Sequence, residues 1–126
     1  MPRILVVDDT DDLRKVVRRV LEAAGYEVDE ARDGRAALER FRAQPADVVI
    51  TDIFMDGMDG IQLTRTLARE FGNVPVIAMS GGGVVQEAPA TLEVISRLGA
   101  RATLAKPFSA DQLLAAIRQV KKESQS

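Results

Sequence analysis

The sequence predicts an α/β fold, a doubly wound five-stranded parallel sheet with five helices on its two faces. Short apolar segments alternate five times with amphipathic segments of helical period, an order typical of parallel sheets covered by helices. The apolar segments are rich in Val and Ile, as expected of strands buried on both faces. A length of 126 residues fits one such domain. We therefore expect a single domain over residues 1–126 with its core at about 3–120.

The first strand–helix unit begins at Arg3. Arg3–Val7 is apolar after its first residue and predicts a buried strand. Thr10 or Asp11 can cap the following helix, and Gly25 ends it. Apolar residues recur at helical spacing on the face that we expect to be buried, at Leu13, Val16, Val17, Val20, Leu21 and Ala24.

The second unit is shorter and more polar. Tyr26–Ala31 alternates weakly and holds three acidic residues, which predicts an edge strand. Asp33 and Gly34 predict a turn, and Arg35–Ala43 predicts a short helix that ends before Pro45.

The third unit contains the most apolar strand. Val48–Thr51 is too short for a stable helix, and Asp52 follows where this strand leaves the sheet. Gly57 and Gly60 mark a loop, after which a helix begins at Ile61. We expect its buried face at Ile61, Thr64, Leu67, Ala68 and Phe71.

The fourth unit contains a run of glycines. Pro75–Met79 predicts a strand that ends at Ser80. Gly81–Gly83 predicts a loop, because three glycines lose too much backbone entropy in regular structure. A helix is expected at Pro89–Leu98.

The last unit has the clearest helix start. Ala102–Ala105 predicts a short strand, and Ser109 with Gln112 forms a capping box for the helix that follows. Its apolar stripe is Leu113, Leu114, Ile117 and Val120. We expect Glu123–Ser126 to fray.

Composition excludes several classes of function. The chain has no cysteine and no histidine, which rules out thiolate metal sites, histidine bases and Ser-His-Asp triads. Its net charge of −2 argues against nucleic acid or an anionic membrane as a direct partner. A signal-like leader is not evident, and no stretch approaches the ~20 apolar residues of a membrane span. We therefore expect a cytoplasmic protein.

Four of the five predicted strands are followed by polar residues. Asp8 and Asp9 follow the first strand, Asp52 the third, Ser80 the fourth and Lys106 the fifth. The carboxyl ends of parallel strands meet at one edge of the sheet, where open α/β sheets bind ligands. We therefore expect these five residues to form one site.

Three carboxylates at one site repel each other. Two unit charges about 4 Å apart cost about 4 kcal/mol at an effective dielectric near 20, which a divalent cation would relieve. Oxygen ligands without His or Cys indicate Mg²⁺. Such a site suits phosphoryl transfer, with Asp52 as the nucleophile and with Lys106 and Ser80 stabilising the phosphoryl oxygens.

The polar residues also form a recognisable set of motifs. These are Val6-Val7-Asp8-Asp9, Asp52 with Met58-Asp59-Gly60, Ser80 after an apolar strand, and Lys106-Pro107-Phe108. In this order, the set resembles the receiver (CheY-like) domain of two-component response regulators over residues from Arg3 to about Val120. The resemblance implies a flavodoxin-like sheet of strand order 2-1-3-4-5.

The resemblance also implies roles for the acids. Asp52 would accept the phosphoryl group of a phosphorelay from a histidine kinase, a histidine phosphotransfer protein or a small acyl phosphate. Asp9, Asp52 and the Phe54 backbone carbonyl would bind Mg²⁺ directly, and Asp8 would act through water.

Further implied roles concern the switch. Ser80 would move to the phosphoryl group, Lys106 would pair with it, and the peptide bond before Pro107 would be cis. Thr103 occupies the switch position where the family usually has an aromatic residue, so we expect the signal to run through the loop after Ser80. That loop is longer than is typical, and we expect it to be mobile until phosphorylation.

Two nearby positions add to these departures from the family. Asp56 replaces a frequent proline and adds negative charge beside the site. Phe54 is expected to shield the phosphoryl group from water.

Two other functions stay open. A haloacid-dehalogenase-type phosphatase also uses aspartate and Mg²⁺, but its motif requires Thr or Val at the position that Leu13 holds here. A pseudo-receiver would bind partners without phosphorylation. We favour a phosphorylation switch with no enzyme activity beyond its own phosphorylation and dephosphorylation, a monomer or weak homodimer that acts on a downstream partner.

Overall fold

The structure is a computed structural model that describes residues 2–53, 60–80 and 100–125, without the side chains of residues 80 and 122–125. Five strands and four helices lie within these ranges. The strands are β1 (Arg3–Val7), β2 (Glu27–Ala31), β3 (Val48–Asp52), β4 (Val76–Ser80) and β5 (Ala100–Ala105). The helices are α1 (Asp11–Ala23), α2 (Gly34–Ala43), α3 (Gly60–Phe71) and α4 (Ala110–Gln125). The loop predicted at Gly81–Gly83 and the helix predicted at Pro89–Leu98 lie outside the described residues.

All five strands pair in parallel in the order β2-β1-β3-β4-β5. The predicted doubly wound fold and its strand order are thereby confirmed, and so is the edge position of β2. The order reverses between β1 and β3, which are neighbours at the centre of the sheet. Their carboxyl ends therefore lie side by side at the point where this fold class binds ligands.

The sheet separates two hydrophobic cores. Successive residues of β1 point to opposite faces, so Leu5 and Val7 enter one core while Ile4 and Val6 enter the other. Helices α2 and α3 cover the first face, and α1 and α4 cover the second. Burial of the central strands on both faces explains their continuously apolar sequences.

Two predicted helix faces differ from the observed ones. On α1, Val16 is 54% exposed rather than buried, because it lies at the border of a stripe centred on Val17 and Leu21. On α3, Leu63 is fully buried although it was not expected, whereas the predicted Ala68 is exposed. The α3 helix therefore packs through a face rotated from the predicted one. Among the described helices, none combines the length and apolar character required to cross a bilayer.

Side-chain caps define two helix starts. The Asp33 carboxylate accepts a hydrogen bond from the Ala36 amide at 2.8 Å, so the predicted turn is the N-terminus of α2. The predicted capping box of α4 is confirmed, because the Gln112 amide donates to Ser109 Oγ and the Ser109 amide donates to Gln112 Oε1. Helix α4 continues to Gln125, beyond the residue where fraying was expected.

Arginines pair with the acidic residues of the edge strand β2. Glu30 accepts hydrogen bonds from Arg14 Nε at 2.8 Å and from Arg18 Nη1 at 2.7 Å. Glu27 and Asp29 both pair with Arg3 of β1. Burial opposes ionisation of Glu30, but the hydrogen bonds from Arg18 and Arg14 outweigh it and lower the pKa of this carboxyl. The network ties α1 to the edge of the sheet.

Glu30→Gln should lower the free energy of unfolding by about 1–2 kcal/mol at pH 7, because it weakens two charge-assisted hydrogen bonds. The lowered pKa of Glu30 means that its contribution is present above the ordinary pKa of 4.5 and is lost as the pH falls through the folded-state pKa. The difference from wild type should therefore shrink below about pH 4.5. Urea unfolding at several pH values tests this, with the exposed Glu39→Gln as a control that should change little. A pH-independent difference would contradict the prediction.

Candidate functional site

Three strands deliver charged residues to one edge of the sheet. Asp8 directly follows β1, Asp52 is the last residue of β3, and Lys106 directly follows β5. Because these strands are parallel, the structure brings all three side chains together with that of Asp9. The strand ends thus place four of the five expected side chains at one site.

The three carboxylates form a compact cluster. One oxygen from each of Asp8, Asp9 and Asp52 lies within 4.8 Å of the others. Asp8 is fully buried, Asp52 is 7% exposed, and Asp9 is exposed. The cluster therefore opens to solvent on the side of Asp9. Three oxygen donors at this spacing, with no nitrogen or sulfur ligand, fit a hard divalent cation such as Mg²⁺.

A single ammonium group bridges the two buried acids. Lys106 Nζ donates hydrogen bonds to Asp8 Oδ2 and to Asp52 Oδ2, each at 3.1 Å. Burial acts to lower the pKa of Lys106, but the charges of Asp52 and Asp8 raise it overall, so the amine stays protonated. Among the described residues, one ammonium group thus pairs with a cluster of three carboxylates, which keeps an excess of negative charge.

The excess charge affects Asp52 most directly. Burial raises the pKa of the Asp52 carboxyl, and the charges of Asp8 and Asp9 add to this effect. Lys106 acts in the opposite direction without cancelling it. The folded protein therefore holds Asp52 ionised at a cost in free energy, which a bound cation would reduce.

The loop after β1 (residues 8–10) is fixed by hydrogen bonds to its backbone groups. The Asp8 amide donates to the Ala31 carbonyl at 3.1 Å, and the Thr10 amide donates to Asp8 Oδ1 at 2.8 Å. The second bond is a local Asx turn that leaves Asp8 Oδ2 to Lys106. Arg14 Nη1 donates to the Asp8 carbonyl at 2.8 Å. Sequence reasoning assigned neither Thr10 nor Arg14 to the site, although an Asp two residues before a helix N-cap is a signal for the turn.

Gly60 packs against the backbone of Asp52. Its amide donates to the Ile53 carbonyl at 2.8 Å, which returns the chain to the end of β3. A Cβ atom at this position would overlap the Asp52 carbonyl and lie 2.9 Å from Ile53 Cα. The sequence indicated a loop glycine, whereas the structure makes it the first residue of α3 and a close neighbour of the site.

Of the other predicted site residues, the structure describes some and leaves others outside its described ranges. Ser80 ends β4 beside Ala105, and its side chain is not described. Thr103 lies on β5 and is exposed. The Lys106–Pro107 peptide bond is cis, in agreement with the expectation from the resemblance. The Phe54 carbonyl, Asp56 and the long loop after Ser80 lie outside the described residues, and so do the expectations attached to them.

Comparison with known proteins gives a consistent picture. A family model described as the response regulator receiver domain matches residues 4–118. The response regulator MprA of Mycolicibacterium vanbaalenii is 37% identical over 116 residues, which are 92% of this chain and 48% of MprA. The chain spans about half or less of the length of such curated relatives.

Solved structures agree with the family match. A response regulator receiver domain protein from Clostridium thermocellum has a TM-score of 0.89 at 28% identity, covering 99% of this chain and 98% of its own. The chemotaxis protein CheY4 of Vibrio cholerae has a TM-score of 0.87 at 30% identity, covering 95% of this chain and 98% of its own. Both likenesses extend over nearly the whole length of each chain.

Gly60→Ala should lower the free energy of unfolding by about 1–3 kcal/mol, because the added methyl group must displace backbone at the end of β3. Chemical denaturation measures the loss. Arg65→Ala, at an exposed position of the same helix, should change stability by less than about 0.5 kcal/mol. Equal effects of the two substitutions would show that Gly60 is not tightly packed.

Asp52→Asn should raise the free energy of unfolding at pH 7 by about 1 kcal/mol in EDTA, because it removes a buried charge from a cluster with excess negative charge. A carboxyl whose pKa is raised in the folded state destabilises it at high pH and has no effect below its ordinary pKa of 3.8. The gain should therefore vanish as the pH falls to that value. The exposed Asp12→Asn serves as the control in the same denaturation series. A loss of stability in Asp52→Asn would contradict the charge argument.

Proposed function

The chain belongs to the response regulator receiver domain family, and we propose that Asp52 is the residue that takes up the phosphoryl group in its two-component signalling. Members of this family are signalling domains that work as phosphorylation-dependent switches. Asp52 is the last residue of β3, the central strand of the sheet, which is buried on both faces. The observation that carries the proposal is the bridging of Asp8 and Asp52 by Lys106, because it places a fixed positive charge beside the acceptor.

We propose that the cluster binds Mg²⁺ through Asp9 and Asp52, together with the Phe54 carbonyl, and that Asp8 acts through water. The close spacing and the excess negative charge of the carboxylates support this. Bound Mg²⁺ would supply charge neutralisation for the phosphoryl oxygens. Asp8, held by Thr10 and Lys106, would keep its orientation whether or not the cation is bound.

Phosphorylation forms one bond and breaks one. A carboxylate oxygen of Asp52 attacks phosphorus and forms an acyl phosphate, while the bond from phosphorus to the donor nitrogen or oxygen breaks and the donor keeps the electron pair. A carboxylate donor leaves as the anion, and an imidazole donor leaves neutral when its second ring nitrogen already carries a proton, so neither leaving group needs a proton from this chain. Lys106 Nζ, already 3.1 Å from Asp52 Oδ2, is placed to donate to a phosphoryl oxygen.

The local structure does not favour the phosphatase alternative. Leu13 holds the position where that motif needs Thr or Val, and it packs against the core between α1 and α4. Asp11, the second acid of that motif, is exposed and pairs with Arg14 rather than with the carboxylate cluster.

The partners follow from the chemistry of the switch. The phosphoryl donor would be a histidine kinase, a histidine phosphotransfer protein or a small acyl phosphate. We infer that Ser80 responds to the phosphoryl group and that the loop after it passes the signal to a downstream partner, because Thr103 cannot act as an aromatic reporter. Cytoplasmic location and a monomer or weak homodimer stay predictions from the sequence.

Incubation with Mg²⁺ and acetyl phosphate should add the mass of one phosphoryl group to the wild-type chain. Asp52→Asn should abolish this gain, whereas the exposed Asp12→Asn should retain it. EDTA in place of Mg²⁺ should also prevent the gain. Intact-mass spectrometry provides the measurement.

Two results would decide against the proposal. Uptake by Asp52→Asn at the wild-type level would place the acceptor elsewhere. Continuous release of phosphate from a general phosphomonoester would favour the phosphatase instead.

A further inference from the structure

Arg14 of α1 ties the acidic loop after β1 (residues 8–10) to strand β2 and to the first turn of its own helix. Its guanidinium donates to the Asp8 carbonyl at 2.8 Å, to Glu30 Oε1 of β2 at 2.8 Å and to Asp11 Oδ1 at 2.6 Å. All three guanidinium nitrogens are thus engaged, and the side chain is only 12% exposed. Arg14 therefore has a fixed position in which the planar group cannot turn without breaking several bonds at once.

The carbonyl that Arg14 holds belongs to the peptide joining the two N-terminal acids. Asp8 is additionally fixed through its carboxylate by Thr10 and Lys106. The Asp9 side chain is exposed, so its position depends mainly on the backbone that carries it. Rotation of the Asp8–Asp9 peptide would change the position of the Asp9 carboxylate relative to that of Asp52, which now lies within 4.8 Å.

Arg18 provides an internal comparison. It also donates to Glu30, at 2.7 Å, and it carries the same charge on the same helix. Its side chain is 42% exposed and also pairs with Glu22 within α1. Arg18 therefore shares the ion-pair network of the edge strand but does not contact the acidic loop.

We propose that Arg14 is a positioning residue for the cation site: by holding the Asp8 carbonyl, it sets the peptide that aims Asp9 at the ligand cluster. The inference rests on the proposed Mg²⁺ site and deepens it. Arg14 touches neither the phosphoryl group nor the cation in this role. It acts through one backbone oxygen, and Glu30 and Asp11 keep it in place.

Loss of the Arg14 charge and loss of its positioning role predict opposite changes in the affinity of the site for Mg²⁺. A cation nearby repels Mg²⁺, so simple electrostatics predicts tighter Mg²⁺ binding by Arg14→Gln. Positioning predicts weaker binding, by about tenfold, which is the scale of substitutions that disturb the support of metal ligands. Arg18→Gln removes the same charge without touching the loop and should change the Mg²⁺ dissociation constant by less than about twofold.

The experiment is calorimetric titration of Mg²⁺ into wild type, Arg14→Gln, Arg14→Lys and Arg18→Gln, well below their melting temperatures. Arg14→Lys keeps the charge but loses the planar fork, and we expect it to bind Mg²⁺ several-fold more weakly than wild type. Thermal unfolding in EDTA reports folding separately. A stability role alone would lower the melting temperature and leave the dissociation constant unchanged.

The outcomes separate this inference from the proposed function. Unchanged or tighter Mg²⁺ binding by both Arg14 variants would overturn the positioning role. The proposed function would still stand if the wild-type chain takes up a phosphoryl group and Asp52→Asn does not. Equal weakening by Arg14→Gln and Arg18→Gln would also overturn it. Absence of Mg²⁺ binding by the wild-type chain would overturn both the inference and the proposed cation site.

Discussion

The site depends on electrostatic repulsion that the fold does not allow to relax. Asp8 and Asp52 are held side by side because β1 and β3 are neighbours at the reversal of the strand order. Strand pairing fixes their separation, and burial prevents water from screening their charges. Lys106 compensates one of these charges only. The uncompensated negative charge favours binding of a further cation. A rigid sheet can therefore also hold a site that binds a ligand.

Much of the fold could be predicted because short apolar strands alternate regularly with amphipathic helices along the sequence. Ile4–Val7 and Val48–Ile50 are apolar without alternation, which occurs when a strand is covered on both faces. The order of the strands is different in kind. The residues of Tyr26–Ala31 indicate an edge strand but do not specify its neighbour in the sheet. The strand order was therefore predicted from the resemblance to a family. The pairing of β2 with β1 agrees with that order.

The errors of sequence reasoning have a common origin. Val16 and Phe71 were assigned to buried faces because they are apolar and at helical spacing, yet tertiary contacts decide how far each helix rotates on the sheet. Asp33 was read as a turn residue because its role as a helix cap depends on where the next helix starts. At the site, the acids were found from the strand ends, whereas Arg14 was missed because its contact is with a backbone carbonyl. A side chain that bonds to a backbone carbonyl is hard to predict, because every residue type has such a carbonyl.

The ion pairs of β2 have a consequence for self-association. An edge strand presents free main-chain groups on which a strand from another molecule can add. Here, Glu27, Asp29 and Glu30 line that edge, and each is already neutralised by an arginine from a neighbouring element. An incoming strand would have to break these pairs or strip water from them. The charged border therefore makes strand addition at the β2 edge unfavourable, and this lateral edge is separate from the carboxyl ends of the strands, where the carboxylate cluster lies.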